Sequence, residues 1–289
     1  MKPIALSLVA LVWLGGWGGL ALADDDGALR ICADPNNLPF SHRDLSGFEN
    51  RIAEILAEDL GEPLEYTWFP QRRGFIRKTL RQPAVEREGY LCELVIGVPT
   101  SFELVIATAP YYRSTYALVF KADHSLLQGV ETPEDLANLP REKRDQLRIG
   151  VFERTPATSW LTRYEMHDQI RARAALHGDP DEFPGLVIQR DLMNDDIDAA
   201  IVWGPIAGYF VKRLADRAEL ALVPMASEPG LRFDFPISMG VRFGQGAWKD
   251  QVEGLIEANR AAIDAVLEEY NVPLLPLDEG VQVSHRDDD

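Results

Sequence analysis

The chain has 289 residues, with 46 Asp and Glu set against 29 Lys and Arg, a formal charge of −17. Such an acidic balance excludes a charge-driven hold on nucleic acid or anionic membrane, and it favours solubility or a basic protein partner. At 46% apolar residues the composition is that of a packed globular protein.

Lys2 is followed by an apolar run, Ile4 to Leu20, broken by glycines and ending in Ala21-Leu22-Ala23. This reads as an export signal cleaved after Ala23, so that residues 1–23 lie outside the fold and the mature chain is periplasmic. The alternative, an uncleaved membrane anchor, asks for a longer run without Asp24-Asp25-Asp26 directly behind it. Removal of the signal leaves 266 residues, enough for one large domain or for two lobes with separate cores.

Leu29-Arg30-Ile31 opens an apolar strand that runs into the polar loop Ala33-Asp34-Pro35-Asn36-Asn37. Ser46-Gly47-Phe48-Glu49 reads as a capping box, and Phe48, Ile52, Ile55, Leu56 and Leu60 keep the helical period as far as Gly61. Leu64 to Phe69 is an expected strand, with Tyr66 and Trp68 on one face and Pro70 as its stop. Gln71-Arg72-Arg73-Gly74 leads into a short helix around Phe75, Ile76 and Leu80, and Leu91 to Val98 is the third strand. The order is β-α-β-α-β, the signature of a doubly wound parallel sheet.

Tyr116 to Lys121 is expected to cross out of this first lobe. Thr132-Pro133-Glu134-Asp135 starts a helix. Leu147-Arg148-Ile149 then repeats the opening theme, and the strand runs into Phe152-Glu153-Arg154-Thr155-Pro156, with Trp160, Leu161 and Tyr164 on the following helix. Leu186 to Gln189 reads as a short strand, Ile197 to Trp203 as another, and Gly204-Pro205 as a helix start. Phe235 to Arg242 is the return crossing, and two helices, Trp248 to Asn259 and Ala262 to Tyr270, pack back on the first lobe. The expected lobes are therefore residues 28–118 with 233–289, and residues 119–232. A hinge of two crossings joins them, and the loops at the strand C-termini face a cleft.

Cys32 and Cys92 are the two cysteines. Both lie near the starts of strands that neighbour each other in such a sheet, and an exported protein meets an oxidising compartment, so a disulfide is expected. Two buried free thiols are the alternative. His42, His124, His167, His177 and His285 have no metal-ligand spacing, and the turn Asp195-Asp196-Ile197-Asp198 lacks the glycine and glutamate of a calcium loop. No metal and no cofactor are expected. Nor does any nucleophile motif appear.

The pieces "GFENRIAEILAEDLG", "LVIGV" with "APYYRS" behind it, the T-P-E-D-L helix start and "IDAAIVWGPIAGY" resemble, in this order, the type II periplasmic solute-binding proteins of polar amino-acid importers. The match runs from about Leu29 to Tyr270. Within that fold, "CADPNNLPFS", "TWFPQRRGFIRKTL", "YYRSTY" and "VWGPIAGY" are similar to the quinoprotein-dehydrogenase-associated subgroup. That group includes the J-type accessory proteins (MxaJ/XoxJ-type) of PQQ-dependent methanol and alcohol dehydrogenase systems. The resemblance implies an α/β periplasmic-binding-protein-like fold of type II. It also implies a role in partnering, activating or maturing such a dehydrogenase.

Two departures from the amino-acid receptors carry weight. Those proteins hold the ligand carboxylate with an Arg shortly before the Pro-Tyr block, and the ammonium with an Asp at the end of the second-lobe strand. Here no Arg or Lys occurs from Glu93 to Tyr112, and Trp203 stands where the Asp would fall. An amino acid in that place would have two desolvated, unpaired charges, at several kcal/mol each.

The cleft candidates are accordingly Asp34 and Asn36 in the first loop, Arg72 and Arg73 as carboxylate holders, and Thr155 at a helix start. Phe40, Tyr111, Tyr112, Trp160 and Trp203 are the candidates for an aromatic wall. Each has a plainer reading: a turn for the first loop, a solvated helix start for the arginines, a structural cap for Thr155, and core packing for the aromatics. The expected function is a non-enzymatic accessory, with a PQQ-dependent alcohol or methanol dehydrogenase as partner and a small-molecule ligand also open. The alternatives are a transport receptor for a small aromatic or anionic solute and an enzyme such as a dehydratase on the same scaffold, the last disfavoured because no carboxylate–base pair stands in the loops.

Overall fold

The computed structural model describes residues 27–174 and 181–277. The expected signal segment, His177, His285 and the Asp287-Asp288-Asp289 end lie outside the described residues.

The first lobe holds β1 (Leu29–Ala33), β2 (Asn36–Asn37), β3 (Ser41–His42), α1 (Phe48–Leu60), β4 (Leu64–Trp68), α2 (Phe75–Lys78), β5 (Val95–Pro99) and β6 (Ile106–Ala107). The long strand β7 (Tyr112–Lys121) leads into the second lobe. There follow α3 (Pro133–Ala137), α4 (Arg141–Arg144), β8 (Ile149–Phe152), α5 (Pro156–Arg163), β9 (Ile170–Arg173), β10 (Ala199–Trp203), α6 (Gly204–Arg213) and β11 (Leu220–Pro224). The return strand β12 (Asp234–Val241) is followed by α7 (Gly246–Ala258) and α8 (Arg260–Glu269).

β1 pairs in parallel with β4 over five residues and meets Leu94, just before β5, on its other edge. The apolar periodicity of α1 decides what covers this sheet. Phe48, Ile52 and Leu56 are fully buried and pack with Leu29, Ile31 and, from α8, Ile263 and Leu267. The opposite face is closed by Phe75, Ile76 and Leu80 over Cys32, Cys92 and Val98. In the second lobe β10 lies between β8 (parallel) and β7 (antiparallel). Its residues alternate between faces: Ala199 and Ile201 join the Trp160 cluster, Ala200 and Val202 the Phe210 cluster. Each lobe therefore has a sheet with apolar layers on both faces, the doubly wound type II architecture.

Both crossings are where the strands were expected. β7 and β12 pair antiparallel from Tyr112↔Ile237 to Thr115↔Asp234, and each then continues into a different lobe. A third segment joins them. Leu274 bridges Ser114, Leu275 donates its N–H to the Arg113 carbonyl at 2.9 Å, and the Ser114 hydroxyl donates to the Pro273 carbonyl. The same tail lies against α6: Lys212 donates to the Glu269 carbonyl (2.7 Å), Asn271 to the Gly208 carbonyl (2.9 Å), and Tyr209 stacks on Tyr270 at 5.7 Å. A Cβ at Gly208 would fall 1.8 Å from the Asn271 carbonyl oxygen, so this close approach depends on glycine.

Two local expectations are corrected, and two strands were not expected. The helix α1 is capped at Gly47, and Asn50, not Glu49, reaches back to accept from the Gly47 N–H at 3.2 Å and from His42 N–H at 2.9 Å. The stretch expected as a strand from Leu186 to Gln189 forms part of a π-helical turn, Val187–Leu192. A short apolar run does not distinguish strand from buried helix, and here Val187, Ile188 and Leu192 pack on Phe210 as one helical face. Strand β9 (IRAR) has no apolar run to mark it, whereas β11 (LALVP) has one and was still not expected.

The expected disulfide forms. Cys32 and Cys92 are bonded across neighbouring strands, 5.4 Å apart at Cα, and both are buried.

Candidate functional site

A cavity of about 680 Å³ opens between the two lobes. Its first-lobe wall begins in the loop after β1. Asp34 shapes this loop by accepting from Asn36 N–H at 2.8 Å, and its other carboxylate oxygen accepts from Gln71 N–H. Asn37 donates to the Gln71 side chain at 2.8 Å. The polar turn is thereby fastened to the segment after β4, and its carboxylate is already committed. Gly74, at φ 92°, makes the left-handed turn that starts α2 and exposes Arg72, Arg73 and Arg77 along the wall.

The rest of the wall is apolar: Phe75, Val98, Phe102 and Leu104 from the first lobe, Phe152 and Phe183 from the second. Leu104 is 47% exposed and lies in the stretch where an amino-acid receptor would place its arginine. Hydrophobic walls with a few polar groups are the usual make-up of a small-molecule cleft, and this volume is within the usual range.

The charges on this wall are unequal in status. Arg173, on the second-lobe side, is held by Asp191 and by Glu182 (3.4 Å), and Glu182 also takes Arg190 at 2.9 Å. Arg72, Arg73, Arg77, Lys78 and Arg81 have no carboxylate partner among the described residues. Arg72 and Lys78 lie over Phe69, each at 5.3 Å, and Arg81 over Phe243 at 5.0 Å.

A small polar annex adjoins the cavity and shares Asp34, Asn37, Gln71, Phe75 and Val95 with it. Glu49 from the first turn of α1 lines this annex, and its side chain has no hydrogen-bond or ion-pair partner among the described residues. Its carboxyl lies over the backbone of Gly97, at φ 82°, where a Cβ would come within 2.0 Å of an Oε1. Burial raises the Glu49 carboxyl well above its ordinary range, and the neighbouring Asp34 charge adds to this. The group therefore holds its proton longer in the folded than in the unfolded chain. Folding is disfavoured progressively as pH rises above about 4.5, the ordinary carboxyl value. Glu49→Gln is expected to raise the melting temperature at pH 7 and to leave it unchanged near pH 4. Thermal melts from pH 4 to 8 check this, and an equal effect at both ends would show that the proton is not involved.

The structure divides the candidates read from the sequence. Asp34, Asn36, Arg72 and Arg73 are brought together on the cavity wall. Tyr111 (1% exposed), Tyr112 (3%) and Trp160 (1%) are core side chains. Trp160 packs in the second lobe and donates to Glu228 at 2.7 Å. Thr155 turns its hydroxyl back to the Phe152 carbonyl at 2.8 Å. Phe40 and Trp203 pack against the cores of both lobes, with Trp203 5.4 Å from Tyr116 and 6.0 Å from Phe235. The aromatic residues singled out thus pack in the lobe cores or, for Phe40 and Trp203, at the junction beside the hinge, and different ones, Phe75, Phe102, Phe152 and Phe183, line the open space. Phe152 had a usable signal as the last residue of an apolar strand before its loop; Phe102 and Phe183 sit in irregular segments and had none. The Asp195–Asp198 turn is structural: Asp198 takes Arg148 in a forked pair (2.8 and 3.1 Å) and Asp195 pairs with Lys121. Among the described residues no group of three potential ligands could hold a metal.

Two doubly wound lobes, paired crossing strands and a cavity between them define a binding protein of the type II periplasmic class. Comparison with known proteins narrows this. The periplasmic binding protein XoxJ from Methylobacterium extorquens AM1 is 35% identical and superposes with a TM-score of 0.67, over 86% of this chain and 100% of that one. The chain belongs to this family of periplasmic binding proteins, the MxaJ/XoxJ type. The curated Protein MoxJ of Paracoccus denitrificans is 26% identical over 282 residues, which is 90% of this chain and 95% of that protein. MxaJ from Methlophaga aminisulfidivorans MPT, at 21% identity and a TM-score of 0.69 over 86% of this chain and all of its own, shares the fold. No protein-family model matches the chain.

Proposed function

We propose that the protein is a non-enzymatic periplasmic accessory of a PQQ-dependent methanol or alcohol dehydrogenase, which it partners or helps to activate or mature. The observation that carries this reading is the cavity itself. It keeps the place of an amino-acid receptor's cleft, but its wall carries apolar Leu104, and Trp203, at the end of the second-lobe strand where the receptor's Asp would stand, is packed into the junction of the lobes. Membership with XoxJ and likeness to MoxJ point in the same direction. The division into a lobe of residues 28–118 with 233–289 and a lobe of residues 119–232, and export by a signal removed after Ala23, belong to the same reading. A chain of charge −17 would be drawn to a basic dehydrogenase or cytochrome, and that attraction weakens with salt.

The test is co-purification and native mass spectrometry with a PQQ-dependent methanol dehydrogenase, in its cofactor-free form, at about 20 and 500 mM salt. The expected result is a complex that weakens as salt rises and a change in dehydrogenase activity on addition. The absence of both would overturn the proposal. A transport receptor for a small aromatic or anionic solute is the second reading, favoured by the apolar wall and its arginines. A ligand-library thermal-shift screen separates the two, since a cognate solute at 100 to 1,000 times its Kd would stabilise the protein by roughly 3–4 kcal/mol.

A further inference from the structure

We infer that the cavity between the lobes takes an anionic apolar ligand: a flat or elongated hydrophobic body with carboxylate groups at the Arg72–Arg81 end. This rests on the reading above only in taking the cavity as the working site. Between Glu65 and Glu86 the chain has five cations and no acid, within a protein of net charge −17. In the second lobe several arginines are already paired: Arg148 with Asp198, Arg163 with Glu228, Arg190 with Glu182 and Asp191. Arg72, Arg73, Arg77 and Arg81, by contrast, line the cavity without a carboxylate.

The two acids that share the wall cannot neutralise them. Asp34 is occupied by the N–H groups of Asn36 and Gln71, and Glu182 by Arg173 and Arg190. An incoming carboxylate would therefore displace no ion pair. It would gain charge-assisted, forked hydrogen bonds beside a low-dielectric apolar surface, where they are stronger than in open water. The remainder of the ligand must be hydrophobic, because Phe75, Phe102, Leu104, Phe152 and Phe183 offer it no hydrogen bond. A cation meets the wrong charge at the arginine end, and the second-lobe carboxylate that could receive it, Glu182, is already held by Arg173 and Arg190.

The experiment compares two dyes with the same arylamine body, 8-anilinonaphthalene-1-sulfonate, which is anionic, and N-phenyl-1-naphthylamine, which is neutral. They are titrated fluorimetrically into the full-length mature protein, with naphthalene-2,6-dicarboxylate and free amino acids as competitors. The expected result is one equivalent of the anionic dye bound at least tenfold more tightly than the neutral one. The dicarboxylate should displace it and amino acids should not. Arg72→Gln with Arg73→Gln is expected to remove the preference while leaving the neutral dye's affinity, and Phe102→Ala to weaken both dyes. These are exposed side chains or a loop residue, so circular dichroism serves as the folding control. Equal affinity for the two dyes, several equivalents bound, no binding of either, or a preference that survives the arginine variants would each overturn the inference. None of these outcomes alters the dehydrogenase complex measured separately, so the two proposals can fail independently.

Discussion

Replacing Cys32 and Cys92 together by alanine is expected to lower stability by about 4 kcal/mol. The bond closes a loop of 60 residues that includes α1, β4, α2 and the polar stretch Gln82 to Gly89. For a loop of that size the entropy removed from the unfolded chain accounts for about 4 kcal/mol. The sulfurs also lie within a small second core under β1 and β5, with Phe75, Ile76 and Leu80. Urea denaturation of the double-alanine variant, and of the native protein under reducing conditions, should give matching losses. A loss below about 1 kcal/mol in both would mean that the apolar cluster, not the cross-link, holds α2 in place.

The second large effect is expected at the hinge. Asp234 on β12 and Arg113 on β7 form a pair of largely buried side chains, 11% and 12% exposed, with the guanidinium Nε–H donating at 2.9 Å. Asp234→Asn removes a countercharge from a buried guanidinium, which costs about 3–4 kcal/mol. Burial alone would raise the Asp234 carboxyl, but the Ser227 hydroxyl and the Arg113 charge more than reverse this and hold it below the ordinary value. A carboxylate lowered on folding contributes stability at pH values above about 4, the unfolded value, and loses that contribution as pH falls through the folded one. Asp198, with Arg148, has the same sign. The native protein should therefore lose stability on acidification below pH 4, and Asp234→Asn should flatten that limb as well as lower the plateau. Chemical denaturation across pH 3 to 7 measures both. A uniform loss without flattening would show that Asp234 acts by shape and not by charge.

The parts legible in the sequence were those with a strong local rule. The 3.6-residue period from Phe48 to Leu60 fixed α1, and Thr132-Pro133 with Asp135 capped α3 as read, the Thr132 hydroxyl accepting from Asp135 N–H at 3.2 Å. The crossings were legible as the extended runs Tyr116 to Lys121 and Phe235 to Arg242, and β7 and β12 occupy them. The cavity was harder. Its arginines were visible because two stand side by side, yet Arg77 and Arg81 join them only through the turn at Gly74. Aromatic identity did not reveal which rings face solvent. Tyr111 and Trp160 have the same composition signal as Phe102 and Phe183, and only the packing of two separate lobes sorts them. Glu49 looked like half of a capping box because the spacing fits. The one-residue shift to Gly47 and Asn50 released its carboxyl to the annex, and no local pattern announces that.

The tail from Glu269 to Pro276 gives the lobes a geometry fixed in advance. A clamshell of two crossings swings because only two strands must bend. Here a swing would also have to strip Lys212, Gly208 and Tyr209 from their partners and peel Leu274 and Leu275 from β7. Whatever enters meets a mould already set, so little of its binding energy is spent on shutting the vessel around it. Selectivity then lies in the contour of the opening and in which guest fits it as it stands.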